Sequence, residues 1–142
     1  MKLLSLLTEK INKERYLTLL TREMDLNKDE AKEVLNDIIS NVKNLPDEIK
    51  LFRIIRVDNK DEINIEELGD HYSTNKKDLL SNHSFADGYG DQSYIITVLA
   101  PKTLVDVEQT IYNNVLYPHE NEITLKNKGN GVKIISIKKI KE

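Results

Sequence analysis

Neither glycine nor proline occurs before Pro46, whereas all 5 glycines and all 3 prolines fall from that point onward. A stretch of this length with no backbone breaker and few β-branched runs is biased towards helix. Within it, Ala31, Val34, Leu35, Ile38, Ile39 and Val42 recur at the three-and-four spacing that lines one helical face, which predicts a helix from Lys28 to Val42. Asn27 is placed to cap it, with Glu30 completing a capping box. Tyr16, Leu17 and Leu20 line a second helix, and Leu3, Leu4, Leu7 and Ile11 a third.

Past Pro46 the residue types change. The run Leu51-Phe52-Arg53-Ile54-Ile55-Arg56-Val57 is β-branched and aromatic, and Asp58-Asn59-Lys60-Asp61 turns the chain after it. Further strands are expected at Ser93 to Leu99, Glu122 to Leu125 and Val132 to Ile140, with Asn127-Lys128-Gly129-Asn130-Gly131 reading as a hairpin turn between the last two. Short helices are expected at Asn75 to Leu80 and Val105 to Asn113. Helices first and strands later is the α+β pattern, not the alternation of a doubly wound parallel sheet. The expected organisation is one domain over residues 1–142, helical over 1–49 and β-rich over 50–142.

Charge and composition narrow the function classes. With 39% hydrophobic and 32% charged residues the chain can bury a core beneath a solvated surface. A net charge of −3 does not advertise a nucleic-acid or anionic-membrane partner. Zero cysteines excludes disulfides, thiolate metal sites and cysteine nucleophiles. The opening Met1-Lys2-Leu3-Leu4-Ser5-Leu6-Leu7 starts like a signal peptide, but Thr8-Glu9-Lys10 ends its apolar run early, so a cytoplasmic protein without a membrane partner is expected.

Most motif-like segments fail on detail. Counted from Asp58 as a calcium loop, the third and sixth positions are Lys60 and Ile63 and the twelfth is Gly69, where a ligand, a turn glycine and a bidentate glutamate belong. The segment to Glu67 therefore reads as a solvated connection. His71, His83 and His119 lack zinc spacing, and His71 and His119 read as surface or packing residues. Gly88-Tyr89-Gly90 is too short for a dinucleotide fingerprint, and no Walker-type loop occurs.

Three segments remain, in a suggestive order. Arg53 sits inside an apolar strand, where a charge needs a partner, and Arg56 faces the opposite side on regular strand geometry. Leu68-Gly69-Asp70-His71-Tyr72-Ser73-Thr74-Asn75 follows. Then comes Leu116-Tyr117-Pro118-His119-Glu120-Asn121-Glu122-Ile123-Thr124-Leu125, whose two carboxylates share one side if strand geometry already holds at Glu120. Taken singly, Arg53 also fits an edge-strand ion pair, Ser73 a helix cap, Tyr72 a core position, and the carboxylates a solvated surface.

Together the three segments resemble the arginine–serine–glutamate class of mono-ADP-ribosyltransferases, similar to small phage or bacterial toxin-like members. Phe52-Arg53 matches the aromatic-arginine motif, Gly69 with Tyr72-Ser73-Thr74 the hydroxyl motif, and Tyr117-Pro118-His119-Glu120-Asn121-Glu122 the Glu-x-Glu motif. Asn75 departs from the Ser-Thr-Ser pattern of the second. The resemblance covers Leu51 to Ile140 and implies an ADP-ribosyltransferase-like mixed or antiparallel β-sandwich core. It further implies NAD as co-substrate, no metal, and a macromolecular acceptor, first a protein arginine and second a nucleic acid. It assigns Glu122 and Glu120 to catalysis, Ser73 to holding Glu122, and Arg53, Tyr72, Ser73 and Thr74 to NAD. An inactive binding module and an NAD glycohydrolase are the alternatives.

Overall fold

The computed structural model describes residues 12–64, 66, 68–81, 87–88, 90–117 and 121–140. The helix expected over Leu3 to Ile11 lies outside them, as do His83, Tyr89, Pro118, His119 and Glu120. The helices are α1 (Lys13–Glu23), α2 (Lys28–Lys43), α3 (Lys76–Ser81) and α4 (Val107–Leu116). The strands are β1 (Glu48–Val57), β2 (His71–Ser73), β3 (Asp87–Gly88), β4 (Gln92–Pro101), β5 (Glu122–Thr124) and β6 (Lys133–Lys139). The class is α+β, with helices at the N-terminal end. The chain sorts into two compact units: α1, α2 and α4 form one, and the sheet with α3 forms the other.

In the helical unit, α2 begins with the capping box that the sequence signals. Asn27 Oδ1 accepts from the Glu30 amide at 2.8 Å, and Glu30 Oε1 accepts from the Asn27 amide at 3.2 Å. Ala31, Leu35, Ile39 and Val42 fall on one face of α2 and are buried, as the apolar spacing requires. Asp106 caps α4 by accepting from the Gln109 amide at 3.1 Å. A polar contact crosses this core: the Tyr16 hydroxyl, on a residue 0% exposed, donates to the Glu108 carboxylate, with the Glu108 carbonyl oxygen at 3.1 Å. Burial, then that hydrogen bond and the Glu108 charge, hold the Tyr16 hydroxyl protonated well above the ordinary tyrosine range.

The second unit is one sheet in the order β5-β2-β1-β4-β6, with β3 attached to β1. β1 pairs antiparallel with β4 from Glu48 opposite Pro101 to Val57 opposite Gln92. β1's other edge carries β2 first and the parallel β3 further along. The apolar run of β1 serves both faces: Phe52 and Ile54 cluster with Ile95 and with Leu79 of α3, while Leu51 and Ile96 are buried on the other side. One expectation is corrected here. β5 and β6 are not a hairpin, since β5 pairs with β2 and β6 with β4 at opposite ends of the strand order. The positive-φ residues Asn127, Lys128, Gly129 and Gly131 shape a 3₁₀ turn in a crossover instead. No helix among the described residues is long and apolar enough to cross a membrane.

Replacing Tyr16 by phenylalanine strands a partly buried carboxylate without its donor. Tyr16→Phe should lower unfolding free energy by about 1–3 kcal/mol in urea titrations. Adding Glu108→Leu should restore part of that loss, because the orphaned charge is then gone.

Candidate functional site

The site grows from the shortest strands. β2 pairs with β5 so that His71 stands opposite Thr124, Tyr72 opposite Ile123 and Ser73 opposite Glu122. On its other side, β2 meets β1 where Ser73 stands opposite Phe52. Directly opposed residues of antiparallel strands share a face. Phe52, Ser73 and Glu122 therefore form one row across three strands, with His71 and Thr124 beside it. Arg53 and Tyr72, each one residue out of step, belong to the other face.

On the first face the Glu122 side chain is 19% exposed and its Oε1 lies 3.0 Å from Nδ1 of His71, which is 53% exposed. Thr124 Oγ1 lies 3.4 Å from the same nitrogen. Ser73 Oγ accepts from the Asn75 amide at 3.1 Å, and Asn75 Oδ1 accepts from the Asp78 amide at 3.0 Å, so this pair also launches α3. The approach to Glu122 is tied down at Asn121. Its carbonyl accepts from the Thr74 amide at 3.1 Å and from the Thr74 hydroxyl at 3.4 Å. Its side-chain amide donates to Asp78 Oδ2 at 3.0 Å. Asn121 has φ +50°, so regular strand geometry starts only at Glu122.

The second face holds a compact cation–aromatic pair. The Arg53 guanidinium lies 5.7 Å from the Tyr72 ring centre and donates through Nη1 to the His71 carbonyl. Gly69, at φ +107°, gives it room: a Cβ there would come within 2.6 Å of Nη2 and 2.8 Å of Cζ. Gly129, at φ +76°, lies over the Tyr72 hydroxyl, and the Gly69 amide donates to the Lys128 carbonyl at 3.0 Å. Tyr72 is 3% exposed, and its hydroxyl has no hydrogen-bond partner among the described residues. Burial pushes that hydroxyl up to about 12, against the opposing pull of Arg53 and with a smaller push from Asp70.

The structure thus brings Ser73 and Glu122 together and sets Arg53 with Tyr72 on the reverse of the sheet. Thr74 is exposed at the end of β2, and Glu120 lies outside the described residues. Arg56, half-buried, shares the face of Glu122 but stands four residues along β1 from the Ser73 row. His71, read from sequence as a surface or packing residue, turns out to contact the glutamate. Its signal was present: it lies two residues before Ser73 and therefore on the same side of any strand containing both.

A carboxylate flanked by a histidine and hydroxyls can stabilise a developing positive charge or take up a proton. No group of three His, Asp or Glu among the described residues is arranged to hold a metal ion. An open hollow of 480 Å³ lies between Lys60, Asp61, Ile63, Asn64, Glu66 and Ile137, and contains none of the residues above.

Two substitutions probe the second face. Gly69→Ala places a Cβ against the guanidinium in a left-handed backbone and should cost about 1–3 kcal/mol in chemical denaturation. Tyr72→Phe should be neutral or stabilising by about 1 kcal/mol at pH 7, since it removes a buried hydroxyl that has no partner among the described residues. The folded protein holds the Tyr72 proton above the ordinary value of 10.0, so stability should fall as pH rises from 10 towards 12. In Tyr72→Phe that alkaline slope should be shallower by about 1.4 kcal/mol per pH unit.

Set against protein-family models, curated proteins and solved structures, the chain matches none of them.

Proposed function

We propose that this protein is a mono-ADP-ribosyltransferase that moves ADP-ribose from NAD to a macromolecular acceptor, with a protein arginine as the first candidate. The observation that carries the reading is the cross-strand pair of Ser73 and Glu122, with Glu122 partly exposed beside His71. In this reaction the bond between nicotinamide and ribose breaks and its electron pair leaves on nicotinamide. The ribose carbon passes through an oxocarbenium-like state, which the Glu122 carboxylate stabilises by charge and by holding a ribose hydroxyl. The acceptor nitrogen then bonds to that carbon and gives up a proton, a general-base task for Glu120.

One observation favours a second reading. Arg53, the residue that would grip the NAD pyrophosphate, is engaged with Tyr72 and the His71 carbonyl on the face opposite Glu122. A binding module that keeps the three segments without using NAD accounts for that arrangement.

Purified protein and Glu122→Gln, each mixed with biotin-tagged NAD and a bacterial lysate, separate the two. On the transferase reading, wild type labels protein or nucleic acid and releases nicotinamide, and Glu122→Gln falls by about 100-fold or more. Nicotinamide release without labelled macromolecule identifies a glycohydrolase. If neither signal exceeds that of Glu122→Gln, the binding-module reading replaces the transferase.

A further inference from the structure

We propose that His71 is the positioning residue for Glu122, holding its carboxylate in one plane through an Nδ1–H donor; the catalytic consequence rests on the transferase reading. The terminal torsion of a glutamate is broad and roughly two-fold, so the side chain alone does not choose the carboxylate plane. A donor 3.0 Å from Oε1 chooses it. A carboxylate oxygen only accepts, so Nδ1 carries the hydrogen, either in the Nδ1–H neutral tautomer or in the imidazolium.

The placement of the ring is itself determined. His71 and Ser73 alternate onto the face of Glu122 because β2 is paired with β5 in register. The His71 carbonyl, pointing within the sheet, is held by Arg53 from the reverse face. With 53% of its side chain exposed, His71 fills no core, and its ring nitrogen Nδ1 meets Glu122 Oε1 at 3.0 Å and Thr124 Oγ1 at 3.4 Å. A ring anchored through its backbone and aimed at one oxygen helps orient the carboxylate, which is what stabilising charge at a single ribose carbon requires.

The two ring nitrogens give the proposal a discriminating test on the full chain. Asparagine puts its amide donor where Nδ1 stands, and glutamine puts it nearer Nε2. With NAD as substrate and nicotinamide release as readout, His71→Ala and His71→Gln should lose about ten- to a hundredfold in kcat with KM for NAD unchanged. His71→Asn should recover kcat to within about threefold of wild type. Equal losses in the asparagine and glutamine variants, or a loss confined to KM, would overturn the proposal.

A second measurement does not depend on turnover. With ¹⁵N-labelled histidine, at a pH where the ring is neutral by its own titration, His71 should be the Nδ1–H tautomer in wild type and lose that preference in Glu122→Ala. If wild type releases no more nicotinamide than Glu122→Gln, the transferase reading fails. The tautomer comparison then still decides the contact: a Glu122-dependent Nδ1–H upholds the positioning role, and a ring indifferent to Glu122→Ala ends it.

Discussion

Everything at the candidate site hangs on how β2 is attached to β1. β4 runs against the whole of β1, from Glu48 to Val57, whereas β2 meets it at the single register pair Phe52 and Ser73. β5 in turn is held by the three residues of β2. Because side chains alternate along a strand, that one pairing decides which face receives Glu122. A slip of one residue would carry His71, Ser73 and the glutamate row to the face of Arg53.

Strands this short do not hold a register by ladder bonds alone, and the supports come from both ends. At the start of β5, Asn121 is bound to Thr74, which directly follows β2, and to Asp78 of α3. Beyond its end, the Leu125 amide donates to the Asp70 carbonyl at 2.7 Å, and Leu125 bridges to Val105. Ser73 and Asn75 set the start of α3, which brings Leu79 onto Phe52 and Ile54. The hydroxyl motif thus has a structural task, beginning a helix, alongside any chemical one. Asn75 fits it, because asparagine caps a helix about as well as serine.

Local features were readable from sequence because they are settled within a few residues. The apolar face of α2 and its Asn27 and Glu30 box need only helical periodicity and one turn of backbone. β1 was legible from its β-branched run, and the α+β class from the change of residue types at Pro46. What escaped depends on distant pairing. The glycine-rich turn at 127–131 looks the same in sequence whether it closes a hairpin or leads to the far side of a sheet, since both want residues at positive φ. The grouping of Arg53 with Glu122 assumed a register that no local pattern encodes. That Arg53 and Arg56 take opposite faces follows from their spacing, but which of them joins the glutamate does not.

Arg53 has a structural task in the sheet. An arginine inside a strand must satisfy its donors or bear the cost of burying them. Here its guanidinium lies over Tyr72, has the space left by Gly69, and reaches the His71 carbonyl. His71 is thereby used on both sides of the sheet at once, its backbone oxygen by Arg53 and its imidazole by Glu122. The two faces that alternation separates are rejoined through this one residue. A change at Arg53 therefore has a physical route to the glutamate that passes through the backbone of β2 and needs no shared pocket. In this chain the arginine holds the strand at the His71 carbonyl, and the same residue meets Glu122 with its ring.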